Sequence, residues 1–222
     1  KVNFTSWADD IGATSHWVWN VSDTGTFVCP EGLDTSITGA WRIPEGWTVE
    51  HIPDYLCFTA VEAGSVKLNK IGNISANIQI SSNGFTWKDY TFDTKIPLAV
   101  SEKVYFKGNY RGIDFDNYAW FEMTGKIAAS GNIMTLTDGD SPTTSLANKD
   151  FCCFFKLFEG CTGLTAAPEL PATTLAEHCY YYMFQGCTGL TVAPELPATT
   201  LADCCYAGMF YGCTGLTEAP AL

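Results

Sequence analysis

The sequence predicts a multidomain chain in which a mainly β N-terminal part, antiparallel and sandwich-like, precedes an α/β solenoid with a 26-residue period. Three observations carry that prediction. The hexapeptide GCTGLT stands at 160–165, 186–191 and 212–217, and self-similarity at a period of about 20 to 50 residues marks units that stack to bury their apolar faces. Short runs of alternating apolar and polar residues fill 54–138, the pattern of half-buried strands. DGDSPTTSLANKD then reads as a polar connector. The divisions that follow are a Trp-rich, β-rich module at 1–53, a sandwich-like domain at 54–137, a linker at 138–150, and three repeat copies at 151–222, the last one truncated.

The N-terminal module holds five of the seven tryptophans, Trp7, Trp17, Trp19, Trp41 and Trp47. HWVWNV alternates like a strand and puts Trp17 and Trp19 on one face. Such a pair serves either as an aromatic platform for sugars or as the core of a small module poor in aliphatic residues, burial being the commoner use of Trp. Downstream, YLCFTAV, SVKLNKI, ANIQISS, FTWKDYTF, KVYFKG, YAWFEMTGKI and NIMTLTD each read as strands. Asn83-Gly84 signals a tight hairpin, because both residues tolerate the positive φ of a type I′ turn. Short strands at this spacing indicate an antiparallel sandwich or barrel of about 85 residues.

In the repeats, the columns Cys153/Cys179/Cys205, Leu157/Met183/Met209, Phe158/Phe184/Phe210, Cys161/Cys187/Cys213 and Leu164/Leu190/Leu216 stay apolar and are expected to form the core. The columns Lys156/Tyr182/Gly208, Glu159/Gln185/Tyr211 and Ala166/Val192/Glu218 vary, as surface positions do. Leu201, Cys205, Met209 and Cys213 recur every fourth residue and predict one apolar face of a short helix. Thr199 or Thr200 can cap its start and Gly212 or Gly215 its end. A short strand near 190–193 runs into a Pro-rich extended turn, so each copy is read as one strand and one helix.

These copies resemble the BspA-type leucine-rich repeats of bacterial surface antigens. The family core F-x-x-C-x-x-L is matched by Phe158-Cys161-Leu164, Phe184-Cys187-Leu190 and Phe210-Cys213-Leu216, in a unit longer than the family's commonest form. YLCFTAVEAGSV and FEMTGKIAASGNIMTL are similar to the β-modules that precede such repeats in surface proteins of gut Bacteroidales and their phages. The resemblance implies a leucine-rich-repeat solenoid displayed at a surface. The third copy stops without a polar cap, and further PATTLA copies are expected in a full-length protein. The chain starts at Lys1 with no charged and apolar leader pattern, so a signal peptide is either absent or already removed.

Net charge is −12, and no Lys or Arg occurs from 157 to 222, which argues against nucleic acid and anionic membrane as partners. No apolar run reaches the ~18 residues of a membrane span. Eight of ten cysteines lie in the repeats, on the expected helical side, where neighbouring helices stand too far apart for disulfides; buried free thiols are expected. Cys29 and Cys57 are left open as a lone disulfide. The column Cys152/His178/Cys204 offers one ligand per copy, unlike the close ligand pairs of zinc sites. His16, His51 and His178 sit in no hydrolase motif, and Asp9-Asp10, DFDN at 114–117 and DGD at 138–140 read as solvated turns. No catalytic residue, metal or cofactor is expected.

The function expected is non-catalytic recognition or adhesion, extracellular or at a cell surface, with a host-cell or bacterial surface protein or glycan as partner. Its binding positions are Lys156, Tyr181, Tyr182, Gln185, Tyr211 and Glu218, since Tyr offers large contact area at little entropic cost. The alternatives are a phage tail or head-fibre component, a homo-oligomer through its N-terminal part, and a carbohydrate-binding module.

Overall fold

A computed structural model describes residues 23–30, 35–36, 43–111 and 113–221. Trp7, Trp17, Trp19, Trp41, His16 and the Asp9-Asp10 pair lie outside the described residues. The chain divides into two compact units, 1–54 and 55–222. In the first, β1 (Thr26–Pro30) pairs in parallel with β2 (Thr48–Ile52), and Phe27, Cys29 and Ile43 form a small core with Trp47 and Val49 packed on it.

The second unit is built on two sheets. One has six strands in the order β11-β10-β3-β8-β5-β6: β3 (Leu56–Ala60), β5 (Ile78–Ser81), β6 (Lys88–Asp89), β8 (Lys103–Gly108), β10 (Ile127–Ser130) and β11 (Leu164–Ala166). The other has three, in the order β7-β4-β9: β4 (Gly64–Ile71), β7 (Ile96–Leu98) and β9 (Tyr118–Thr124). Alternation along the strands turns Val104 and Phe106 of β8, and Ala119 and Phe121 of β9, into the core. There Phe121 meets Phe58 edge-on at 4.7 Å and Phe106 at 5.3 Å.

The alternating runs thus form strands, FTWKDYTF only at Lys88–Asp89, with two further departures. NIMTLTD ends in α1 (Thr135–Asp138) instead of a strand. Its Thr135 Oγ1 accepts the Leu56 N–H and donates to the Asn132 carbonyl, which ties a turn of helix beside β3; a short apolar run does not distinguish the two states by period. Asn83-Gly84 does lie between paired strands, with Ile80 opposite Lys88, but not in a two-residue turn. Gly84 alone takes positive φ, at 75°. Asn83 instead uses its side-chain oxygen to accept the Phe85 and Thr86 N–H groups, holding a longer loop.

The α/β solenoid expected over 151–222 is not formed. Among the described residues strand makes up 30% and helix 2%, and the one helix is α1, so no helix builds the repeats. Residues 151–160, 177–186 and 203–212 are runs of turns. In the first copy the N–H groups of Phe155, Leu157, Glu159 and Cys161 reach back three residues, whereas those of Phe154, Lys156, Phe158 and Gly160 donate to Cys179, Tyr181, Met183 and Gln185 of the next copy. With every second donor spent between copies, the i to i−4 ladder of an α-helix cannot form.

Left-handed φ recurs at every fourth residue, at Lys156 and Gly160, at His178, Tyr182 and Gly186, and at Cys204, Gly208 and Gly212. The row Cys205, Met209, Cys213 therefore belongs to a period of four, not 3.6, while Leu201, expected on the same helix face, is 54% exposed. The strand expected at 190–193 is also absent; the corresponding residues form a strand in the first copy alone, where β11 pairs in parallel with β10.

The turn runs sit in register on one another and on the sheets. Phe158 stacks on Phe121 at 5.3 Å with planes 17° apart, Phe184 on Phe158 at 5.2 Å and 6°, and Phe210 on Phe184 at 5.7 Å and 1°. Cys161, Cys187 and Cys213 donate S–H to the carbonyls of Phe121, Phe158 and Phe184 at 3.1, 3.0 and 2.9 Å. Phe121 thus fills the place that Phe158 and Phe184 fill for later copies, and the Phe121 N–H donates to the Leu157 carbonyl. Phe121-x-x-Thr124-x-x-Ile127 has the same spacing as Phe158-x-x-Cys161-x-x-Leu164. One apolar core consequently runs from Leu56 through Cys213.

Candidate recognition surface

Left-handed backbone at a corner of each turn run explains the column that varies most. At Gly208 an added Cβ would stand 2.2 Å from the Tyr182 ring, so the large side chain of the second copy requires Gly in the third. Tyr182 lies 4.3 Å from Tyr181, whose ring stacks at 5.8 Å on Phe155. A hydrogen bond with Tyr182 raises the Tyr181 hydroxyl above its ordinary pKa. Lys156 Nζ stands 5.5 Å over the Phe155 ring and 3.0 Å from Glu159.

To these rings the loop before β9 adds Phe115, 45% exposed, and the start of the first copy adds Phe151, 41% exposed. Phe115 meets Phe151 at 5.4 Å, Phe155 at 5.2 Å, His178 at 5.4 Å and Tyr181 at 6.0 Å, all edge-on. Asp114 holds Phe115 up: its carboxylate accepts the Asp116 and Asn117 N–H groups and the Asn117 amide, and those hydrogen bonds lower its pKa. DFDN is thus a tight acidic turn that presents a phenylalanine. His178 Nδ1 stands 3.4 Å from Glu177, and the ring is flanked by Phe115, Phe151 and Tyr181.

Of the residues singled out in the sequence, the structure brings Lys156, Tyr181 and Tyr182 together through Phe155. Gln185 and Tyr211 share the neighbouring column, where Tyr211 is 70% exposed; Glu218 is exposed near the end of the third copy. Phe115, Phe151 and Phe155 escaped sequence reading, and His178 was weighed there only as a metal ligand or hydrolase residue. Three phenylalanines in one turn run at DFCCFF were the available signal, hidden because an aromatic in a repeat is ordinarily core. The repeat-core columns are buried in the first two copies, and in the third Phe210 and Leu216 are half-buried.

The remaining chemistry is structural. Asp138 is paired with Lys149 and accepts the Thr143 N–H and hydroxyl. Burial pushes its carboxyl up, but these partners outweigh that and hold the pKa low. Asp140 accepts from Lys107 at 2.7 Å and Tyr55 at 2.6 Å. Asp138 thus closes the 138–149 segment on itself, with Arg111 at 3.7 Å, while Asp140 ties it to Lys107 of β8 and to Tyr55. Among the described residues no three His, Cys, Asp or Glu side chains gather as a metal-ligand set.

All ten cysteines, Cys29 and Cys57 included, are free thiols, and Cys204 is the one exposed. Burial pushes Cys152, Cys179 and Cys187 up to about 12 and raises Cys153 and Cys161 as well. A thiol held protonated and covered is a poor nucleophile. Titration of the native protein with a thiol-reactive disulfide reagent is expected to modify one cysteine per chain quickly, Cys204, and the other nine only after denaturation; fast modification of several would contradict the burial. No family model, curated protein or solved structure matches the chain.

Proposed function

We propose that the chain is a non-catalytic recognition protein, extracellular or at a cell surface, whose ligand seats on the aromatic surface of Phe115, Phe151, Tyr181 and Tyr182. One observation carries this reading: two segments far apart in sequence, each anchored on the core, bring the exposed Phe115 and Phe151 and the half-buried Tyr181 into mutual contact. An exposed cluster of large rings is costly to leave in water and marks interaction sites. Tyr and Phe supply contact area with few rotors to freeze. Lys156 and Tyr211 extend the surface along the turn runs. A surface protein or glycan of a host or bacterial cell fits such a face, and the likeness of the three copies to units of bacterial surface antigens points the same way.

Binding of fluorescently labelled protein to bacterial and epithelial cells tests the reading. Combined Tyr181→Ala, Tyr182→Ala and Tyr211→Ala substitutions are expected to lower cell binding at least about tenfold, since central aromatic contacts are each worth roughly 1–2 kcal/mol or more. Phe115→Ser, outside the turn runs, should lower it too while leaving the thermal midpoint within a few degrees. Undiminished binding by both variants would sink the proposal.

A further inference from the structure

A cleft of about 800 Å³ opens on the sandwich between the β5–β6 loop and the β7–β8 turn, remote in sequence from the aromatic surface above. We propose that it binds a short neutral oligosaccharide, with Trp87 as the stacking ring. Its volume falls within the roughly 300–1,000 Å³ of small-molecule sites. Its composition matches a sugar, which has an apolar C–H face and a rim of hydroxyls. Ile80, Leu98 and Val104 supply apolar wall. Ser82, Asn83, Thr86 and Ser101 supply neutral polar groups able to donate and accept.

The cleft is built in advance of any ligand. Lys107 stands 4.4 Å over the Trp87 ring and Tyr55 packs against it at 4.7 Å. Lys107 and Tyr55 are in turn both hydrogen-bonded to Asp140. The ammonium and the Tyr55 ring hold the half-buried indole in place where it lines the cleft. The facing loop is fixed by Ser81 Oγ, which accepts the Asn83 and Gly84 N–H groups. The opposite turn is fixed by Glu102, whose carboxylate accepts the Ala99 N–H at 2.7 Å. A preformed site wastes little binding energy on ordering.

Competing occupants fit less well. The edge strands beside the cleft are poor templates for an extended peptide: β6 has two residues and β7 carries Pro97, which has no N–H to pair. Lys88 and Lys103 line the cleft together with Glu102, too little net positive charge to hold a polyanion against a chain of net charge −12.

Saturation-transfer NMR on the full chain tests the proposal, with di- to tetrasaccharides of glucose, galactose, mannose and N-acetylglucosamine as probes at millimolar concentration. At least one series is expected to give a saturable signal, weakened tenfold or more by Trp87→Ala and within about fivefold of the parent in Trp87→Phe. Thr86→Arg, at an exposed rim position, should block the cleft equally and serves if Trp87→Ala does not fold. The Tyr181, Tyr182 and Tyr211 substitutions should leave saccharide binding unchanged, which separates this site from the aromatic surface. No signal from any series, or a signal indifferent to both cleft variants, overturns the proposal.

Discussion

Phe158→Ala is expected to cost about 3–5 kcal/mol, the range for deleting a buried aromatic, and to lower the thermal midpoint by roughly 10 °C in a chain of this size. Phe158 is fully buried and touches both halves of the core. Its ring lies 6.2 Å from Phe58 on β3, stacks on Phe121 of β9 and stacks on Phe184 of the second copy. Removing it opens a void among rings that cannot collapse, because each is fixed by backbone hydrogen bonds on both sides. Phe210→Ala should cost only about 1–2 kcal/mol, since Phe210 is half-buried and stacks on Phe184 at the open end of the column. Guanidinium unfolding followed by tryptophan fluorescence measures both. A Phe158→Ala cost no larger than that of Phe210→Ala would mean that the phenylalanine column does not join the turn runs to the sheets.

How much of this was legible depends on which regularity a segment displays. The period-2 runs around Leu56, Val66, Ile80, Val104 and Phe121 became strands, because each could pair with a neighbour in register, whereas NIMTLTD turned helical at Thr135. The 26-residue copies were equally legible as units that pack in register, and their constant columns are the buried ones in the first two copies. What could not be read was the backbone inside a copy. Rows such as Cys179, Met183 and Cys187 recur every fourth residue, and over so few steps four is indistinguishable from 3.6. The decisive clue was present but weak: Gly at 160, 186, 208 and 212 marks left-handed corners four residues apart, yet Lys156, His178, Tyr182 and Cys204 adopt the same conformation without Gly. Positive φ at such residues is uncommon, and long-range hydrogen bonds impose it here. The same applies to the aromatic surface. Tyr181 and Tyr182 could be singled out because they differ between copies, whereas Phe115 could not, because tertiary packing places the DFDN turn beside the first copy.

Gly163→Ala should be a severely damaging single-methyl change, costing about 3 kcal/mol or more, whereas Gly160→Ala in the same hexapeptide should cost about 1–2 kcal/mol. The two glycines are required for different reasons. Gly160 has φ 73° and nothing within 4 Å of an added Cβ, so alanine there suffers only the left-handed backbone penalty. Gly163 carries no positive φ, but its added Cβ would stand 2.1 Å from the Gly125 carbonyl oxygen, a backbone atom that no rotamer change can move. Relief requires lifting the first copy off the β9–β10 turn. That would break the Ile127 N–H bond to the Gly163 carbonyl and the β10–β11 pairing on which the later copies rest, each lost hydrogen bond adding about 1 kcal/mol. Gly189 and Gly215 meet the carbonyls of Thr162 and Thr188 at 2.5 and 2.6 Å, so their alanine variants should follow Gly163, with smaller costs toward the third copy, where less structure rests on the contact. Denaturant midpoints of the six variants at 160, 163, 186, 189, 212 and 215 check the scheme. Equal costs at the first and fourth positions of GCTGLT would show that close approach between copies does not set the spacing of the turn runs.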